Sequence, residues 1–120
     1  MPYIQYVEFN SGDPKASTSF YKDVFGWDPQ PFGADDYFVA QSGDEPGIDT
    51  GFTVSEDGQP LTVATISVDD IDGYLAKVIM SGGEIVVPKF AIPAMGWASY
   101  FTDPTGMIVG IYEQDAEAGT

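Results

Sequence analysis

Two residue types that carry much of protein chemistry near neutral pH are missing from this chain: it has no histidine and no cysteine. Without imidazole, the commonest general base and the commonest metal ligand are both gone. Without a thiol there is no disulfide framework, thiolate nucleophile or zinc–thiolate centre. Ser99 and Thr102 have no imidazole to activate them, so a Ser-His-Asp arrangement is excluded. Carboxylates and aromatic rings remain. Glu8, Asp49 and Glu113 lie on or beside predicted strands, and three converging carboxylates would suit Mg²⁺ or Ca²⁺. Nineteen acids in 120 residues bring carboxylates near one another by composition alone. They are therefore read as solvated or hydrogen-bonded, and neither a metal nor another cofactor is expected. Glu8 alternates onto the strand face of Ile4 and Tyr6 and is the single candidate acid–base group. Gly43, Gly47, Gly51, Gly96 and Gly106 form no phosphate-cradling pattern and read as turn and close-approach glycines.

The elements that must hold these groups follow from periodicity and punctuation. Tyr3 to Asn10 reads as a strand, with Val7 and Phe9 on one face and Ile4, Tyr6 and Glu8 on the other. Asp13 caps a helix with Pro14 at its first position, where a missing N–H costs nothing, and Gly26 stops it. Ala16, Phe20, Val24 and Phe25 form its expected buried stripe. Short strands are expected around Trp27–Pro31 and Tyr37–Gln41, and a fourth from Asp49 to Val54. After a polar linker around Ser55–Pro60, the order repeats. Leu61 to Val68 is a strand, Asp70 caps a helix with the stripe Ile71, Leu75, Val78 and Ile79, and Gly82-Gly83 ends it. Strands follow at Glu84–Val87, Trp97–Thr102 and Met107–Tyr112, with a Pro-bounded loop at Pro88–Pro93 and a turn at Asp103–Gly106. Residues 114–120 read as a frayed acidic tail.

An offset of 57 residues lays Asp13 on Asp70, Gly26 on Gly83 and the first strand on the fifth. One domain spanning 1–120 is expected, with one module of about 1–57 and a second of about 58–115. Each module alone leaves a sheet face uncovered, so two are needed to bury a core. Hydrophobic residues at 43% and aromatics at 14% are globular values. A net charge of −15 repels phosphate backbones and anionic lipid, which argues against nucleic-acid and membrane partners. The acidity itself reads as a solvated surface suited to solubility or high salt, or as an acidic cleft for a cationic ligand. No apolar run approaches a membrane span and no leader segment shows at Met1, so a cytoplasmic protein is expected.

The run Phe20-Tyr-Lys-Asp-Val-Phe-Gly-Trp27 after an Asp-Pro cap, Val68-Asp-Asp-Ile-Asp72, Gly82-Gly83 and Ile92-Pro-Ala-Met-Gly-Trp97 with Asp103-Pro-Thr-Gly106 resemble the vicinal oxygen chelate superfamily. This is the glyoxalase, bleomycin-resistance and extradiol-dioxygenase group, and the likeness is strongest to its small glyoxalase-like members. It implies an α+β fold: two βαβββ modules forming a curved mixed sheet around a cavity, with helices outside. Metal-dependent members of the group draw one ligand from the first strand and one from the last strand of each module. Those positions fall on Tyr6, Thr53, Val63 and Gly110. Tyr and Thr are poor ligands for a divalent ion, and Val and Gly are none.

The resemblance further implies a cavity bordered by Tyr6, Glu8, Phe38 and Thr53 from the first module. From the second come Val63, Thr65, Phe90, Trp97, Tyr100, Phe101, Gly110 and Tyr112. An apolar pocket with a few polar groups is the usual form of a small-molecule site. The functional expectation is a small-molecule binder without a metal, of the kind that sequesters a cationic drug in bleomycin-resistance proteins, and a homodimer. Two alternatives stand beside it. One is a lyase- or isomerase-type enzyme using carboxylate or tyrosine acid–base groups or an all-carboxylate metal site. The other is a non-catalytic dimeric interaction domain.

Overall fold

A computed structural model describes residues 1–33 and 36–120 in full and the backbone alone of residues 34 and 35. The elements run β1 (Tyr3–Ser11), α1 (Pro14–Phe25), β2 (Gln30–Phe32), β3 (Ala34–Ala40), β4 (Asp49–Val54), β5 (Leu61–Ser67), α2 (Ile71–Met80), β6 (Glu84–Ile92), β7 (Gly96–Thr102) and β8 (Ile108–Gln114). This α+β order is strand–helix–strand–strand–strand, twice over. The chain divides into two compact units, one of Tyr6–Val63 and the other of Met1–Gln5 with Ala64–Thr120.

In the first unit the strands lie in the order β2-β3-β4-β1, with β1 and β4 parallel and the remaining pairs antiparallel. α1 begins where the sequence places it. The Asp13 carboxylate accepts the Ala16 N–H at 3.2 Å, Pro14 opens the first turn, and Gly26 closes the helix at φ 74° with its N–H on the Lys22 carbonyl. A left-handed φ of that kind is free of steric cost only for glycine.

The buried face of α1 differs from expectation. Phe20, Val24 and Phe25 are 57%, 55% and 62% exposed. Pro14, Ser17 and Tyr21 turn inward instead: Ser17 Oγ lies 2.6 Å from Ser11 Oγ, and the Tyr21 ring sits against Phe9 and the fully buried Phe52. An amphipathic tyrosine at the right helical phase covers the sheet as well as phenylalanine does, and its phase, not its hydrophobicity, decides.

In the second unit the order is β5-β8-β7-β6, with β5 and β8 parallel and β6, β7 and β8 antiparallel. Its core is Val68, Ile71 and Ile111, with Ile66, Tyr74, Leu75, Trp97 and Phe101 packed around them. α2 buries Ile71 as expected, but Ile79 is 61% exposed. The Asp70 carboxylate caps it from the Gly73 N–H at 3.1 Å.

Two stretches depart from the sequence reading. The expected loop at Pro88–Pro93 is largely strand, because β6 continues to Ile92. β6 ends the order of its unit, and its pairing with β7 shifts register between Val87 and Phe90, around Pro88. An edge position beside a bulge is where a sheet tolerates a residue without an N–H. The tail is also ordered. The Ala94 N–H bonds the Ala118 carbonyl at 2.9 Å, the Asp115 N–H bonds that of Met95, and Ala118 is fully buried. No helix among the described residues is long and apolar enough to cross a membrane.

Candidate functional site

Strand register sorts the side chains of the first module onto two faces. Phe9 pairs with Phe52, and Phe52 with Phe38, so these rings share the face covered by α1. Tyr6 pairs with Asp49, Glu8 with Gly51 and Asn10 with Thr53, so these residues share the opposite, open face. Val39 flanks Gly51 from the other side, which places Tyr37, two residues earlier, on the open face as well.

A hydrogen-bonded triad forms there. The Tyr37 hydroxyl donates to Glu8 Oε2 at 2.8 Å and lies 2.6 Å from the Tyr6 hydroxyl. Tyr37 has one proton and gives it to the carboxylate, so the proton between the two phenols belongs to Tyr6. The chain of donation runs Tyr6 to Tyr37 to Glu8. Gly51 makes it possible: a Cβ there would collide with the Tyr6 hydroxyl and stand 2.6 Å from that of Tyr37. Glycine inside a strand commonly marks such a close approach.

Glu8 is 7% exposed, and a carboxylate so buried is tolerated because it is hydrogen-bonded. Burial pushes the Tyr6 phenol up to about 12, with the Glu8 and Asp49 charges adding to the rise and the Tyr37 hydrogen bond opposing it. Burial and the adjacent Glu8 charge push Tyr37 higher still. Both phenols keep their protons at neutral pH.

The second module has its own open face, built on the pairing of Thr65 with Gly110 and of Gly110 with Tyr100. Thr65 Oγ1 lies 2.6 Å from where a Cβ of Gly110 would be. Tyr100 stacks on Phe90 with ring centroids 6.4 Å apart. Tyr112 shares this face and donates its hydroxyl to the Met95 carbonyl at 2.8 Å, and Val63 is 3% exposed.

Trp97 and Phe101 lie on the other face, in the α2 core. The Trp97 indole N–H donates to Asp115 at 3.0 Å, and Lys89 sits 4.7 Å above its ring while pairing with Asp72. Of the expected cavity residues, Tyr6, Glu8 and Thr53 therefore share one open face, and Thr65, Phe90, Tyr100, Gly110 and Tyr112 share the other. Phe38, Trp97 and Phe101 are on helix-covered faces.

The three singled-out carboxylates have separate tasks. Glu8 accepts from Tyr37, Asp49 Oδ1 accepts the Ser42 N–H at 2.9 Å, and Glu113 Oε1 accepts the Ile71 N–H at 2.9 Å. Among the described residues no three carboxylates are grouped to hold a metal ion. The register also refines the repeat. Glu8 with Gly51 corresponds to Thr65 with Gly110, so the last strand of the second module comes two residues later than a constant 57-residue offset allows. The counterpart of Gly110 is Gly51 rather than Thr53.

The family model described as Glyoxalase/Bleomycin resistance protein/Dioxygenase superfamily matches residues 3–111. The chain belongs to this superfamily. It is 32% identical over 127 residues to CFP32 of Mycobacterium bovis, a candidate glyoxylase by name, covering 95% of this chain and 46% of that protein. It is 26% identical over 132 residues to the anthracycline biosynthesis protein DnrV of Streptomyces peucetius, covering 95% of this chain and 48% of the relative. The chain thus spans about half the length of these two relatives. Its fold matches the Mn(II)-bound glyoxalase of Novosphingobium aromaticivorans with a TM-score of 0.70 at 22% identity, over 98% of this chain and 40% of that one.

The donor set here does not fit such a metal. The positions that the superfamily pattern assigns to ligands hold Tyr6, Gly51 or Thr53, Val63 and Gly110, with neither imidazole nor carboxylate among them. The Tyr6 oxygen is a protonated phenol engaged with Tyr37.

Tyr37 is the candidate-site residue that sequence reasoning missed, and Gly51 was read only as a turn or close-approach glycine. A signal existed for each. Phe38 and Tyr37 alternate in one strand, and the one with a polar tip belongs opposite the core. Gly51 interrupts an otherwise well-formed strand.

Proposed function

We propose that this superfamily member binds a small organic molecule on the open face of its first module and holds it without a metal. The observation that carries the reading is the buried Glu8 carboxylate beneath Tyr37 and Tyr6, with Gly51 kept small to admit them. A buried charge and two buried hydroxyls are costly to assemble. Stability alone is served as well by an apolar trio. Half-buried phenol rings beside a carboxylate give a ligand apolar area and fixed polar contacts together. The relatives named for glyoxylase activity and anthracycline biosynthesis support a small organic ligand as the object of the site.

Sequestration fits these residues better than turnover. Neither tyrosine can serve as a phenolate base at neutral pH, because burial holds both protonated. Glu8 is the remaining acid–base candidate, and its Oε2 already accepts a proton donor. Nuclear magnetic resonance of tyrosine ring signals tests the site during a ligand screen. Binding compounds should shift Tyr6 and Tyr37; hits that leave both unmoved refute this location. Consumption of a bound compound that stops in Glu8→Gln would establish the catalytic alternative.

Self-association forms part of the proposal. Phe20, Val24 and Phe25 give α1 an outward apolar stripe that a second copy of the chain can cover.

A further inference from the structure

The Tyr6–Tyr37–Glu8 relay on the open face of the first module presents its hydrogen-bonding groups in one sense only. Tyr37 spends its proton on Glu8, and Tyr6 spends its own on Tyr37. Each phenol has one proton to give, so neither has a donor left for a ligand. The Tyr6 oxygen keeps its acceptor lone pairs. The charges on this face are negative: Glu8, and Asp49 beside Tyr6 in register. The two lysines of the module, Lys15 and Lys22, are on α1, whose Tyr21 packs against the other face.

We propose that the Tyr6–Tyr37–Glu8 relay selects a protonated amine, which donates to the Tyr6 oxygen and is held by the Glu8 charge and the two phenol rings. This inference rests on the reading of that face as the ligand site. An anion meets two carboxylates there and no donor in the relay itself; Asn10, whose amide bonds the Glu8 carbonyl, and Thr53 lie on the same face. A neutral alcohol can donate to Tyr6 but gains nothing from the charge. An ammonium gains both, and aromatic faces add a cation–π contribution. Gly51 acts as the specificity-determining position, because a side chain there would displace both hydroxyls and break the relay.

The test uses three probes on one skeleton, phenethylammonium, 2-phenylethanol and 3-phenylpropionate, titrated into the full chain at about 0.15 M salt to screen long-range attraction. Tyrosine ring signals report binding at the site. Phenethylammonium should bind about tenfold or more tighter than 2-phenylethanol, as expected for a charge-assisted contact, and 3-phenylpropionate should not bind. Glu8→Gln should remove the preference. Asp44→Asn, which deletes a charge from an exposed loop, should leave it intact. Tyr6→Phe keeps the Tyr37–Glu8 bond and removes the outward acceptor, so it should weaken the ammonium and spare the fold if Glu8→Gln does not fold.

Equal affinity for the ammonium and the alcohol, with both shifting Tyr6 and Tyr37, overturns the selectivity and leaves the site standing. A preference that survives Glu8→Gln overturns it too, since it would then come from the −15 charge of the whole chain. Tyr6 and Tyr37 signals that move with none of the three refute both the selectivity and the site.

Discussion

Gly51→Ala is the most informative single substitution. Gly51 has an ordinary strand backbone with no positive φ, so alanine fits the chain itself, and the change should gain roughly 0.5–1 kcal/mol from lost glycine freedom. The cost comes from above. The new Cβ would overlap the Tyr6 hydroxyl and stand 2.6 Å from the Tyr37 hydroxyl and 2.8 Å from the Tyr6 ring carbon that bears its oxygen. Both phenols must move off. That breaks the Tyr37 bond to the buried Glu8 carboxylate, roughly 1.5–3 kcal/mol, and the bond between the phenols, about 1 kcal/mol. The net expectation is a loss of roughly 2–3 kcal/mol, about 4 °C in Tm for each kcal/mol in a chain of this size. Urea unfolding of four proteins (parent, Gly51→Ala, Tyr6→Phe and the double variant) measures it. With the Tyr6 hydroxyl gone, the bond between the phenols is no longer there to lose while Tyr37 still meets the new Cβ, so the alanine should cost about 1 kcal/mol less than in the parent and the two substitutions are non-additive. A Gly51→Ala protein within 0.5 kcal/mol of the parent, or the same loss in both backgrounds, refutes the argument that glycine is there to admit the phenols.

Spectrophotometric titration of the seven tyrosines should show Tyr6 ionising only near pH 12 and Tyr37 later still. Their folded pKa values lie above the unfolded value of about 10, so their stabilisation is complete below pH 10 and is lost as pH rises toward 12. Stability that stays flat from pH 9 to 11.5 counts against the buried relay. Val24→Glu, on the exposed face of α1, should shift sedimentation from dimer to monomer at micromolar concentration; a parent protein that is monomeric throughout rules out that interface. Glu113→Ala leaves the first N–H of α2 without its carboxylate and should cost about 1–2 kcal/mol, most of it recovered in Glu113→Gln, which keeps an acceptor. Equal losses in both would assign the effect to charge instead of hydrogen bonding.

Caps and stops made most of the fold legible. Asp13-Pro14, Gly26 and Asp70 set three helix ends where the sequence places them, and period-two alternation located both module-opening strands. Packing that depends on phase was harder to read. In α1 the hydrophobic positions 16, 20 and 24 make a cleaner stripe than Pro14, Ser17 and Tyr21. Yet the inward side is fixed by the hydroxyl pair of Ser11 and Ser17 and by the fit of Tyr21 over Phe9 and Phe52. Neither contact can be read from hydrophobicity. Pro88 misled in the opposite way: it punctuates most strands, but an edge strand with a register shift absorbs it.

The open face of the first module shows the same limit at the level of chemistry. Tyr6 and Glu8 were visible because alternation within one strand places them together. Tyr37 reaches the same spot from another strand, and only the pairing of Val39 with Gly51 and of Gly51 with Glu8 brings it there. The register also changes what an absent ligand means. Read alone, glycine at a metal-ligand position is a deletion. Read beside Tyr6 and Tyr37, the missing side chain at Gly51 is the space their hydroxyls occupy. Around the positions where the resemblance to metal-dependent members implies ligands, this chain holds a carboxylate and two phenols whose protons are already spent. Under the proposed selectivity, that arrangement favours ligands that bring a cation.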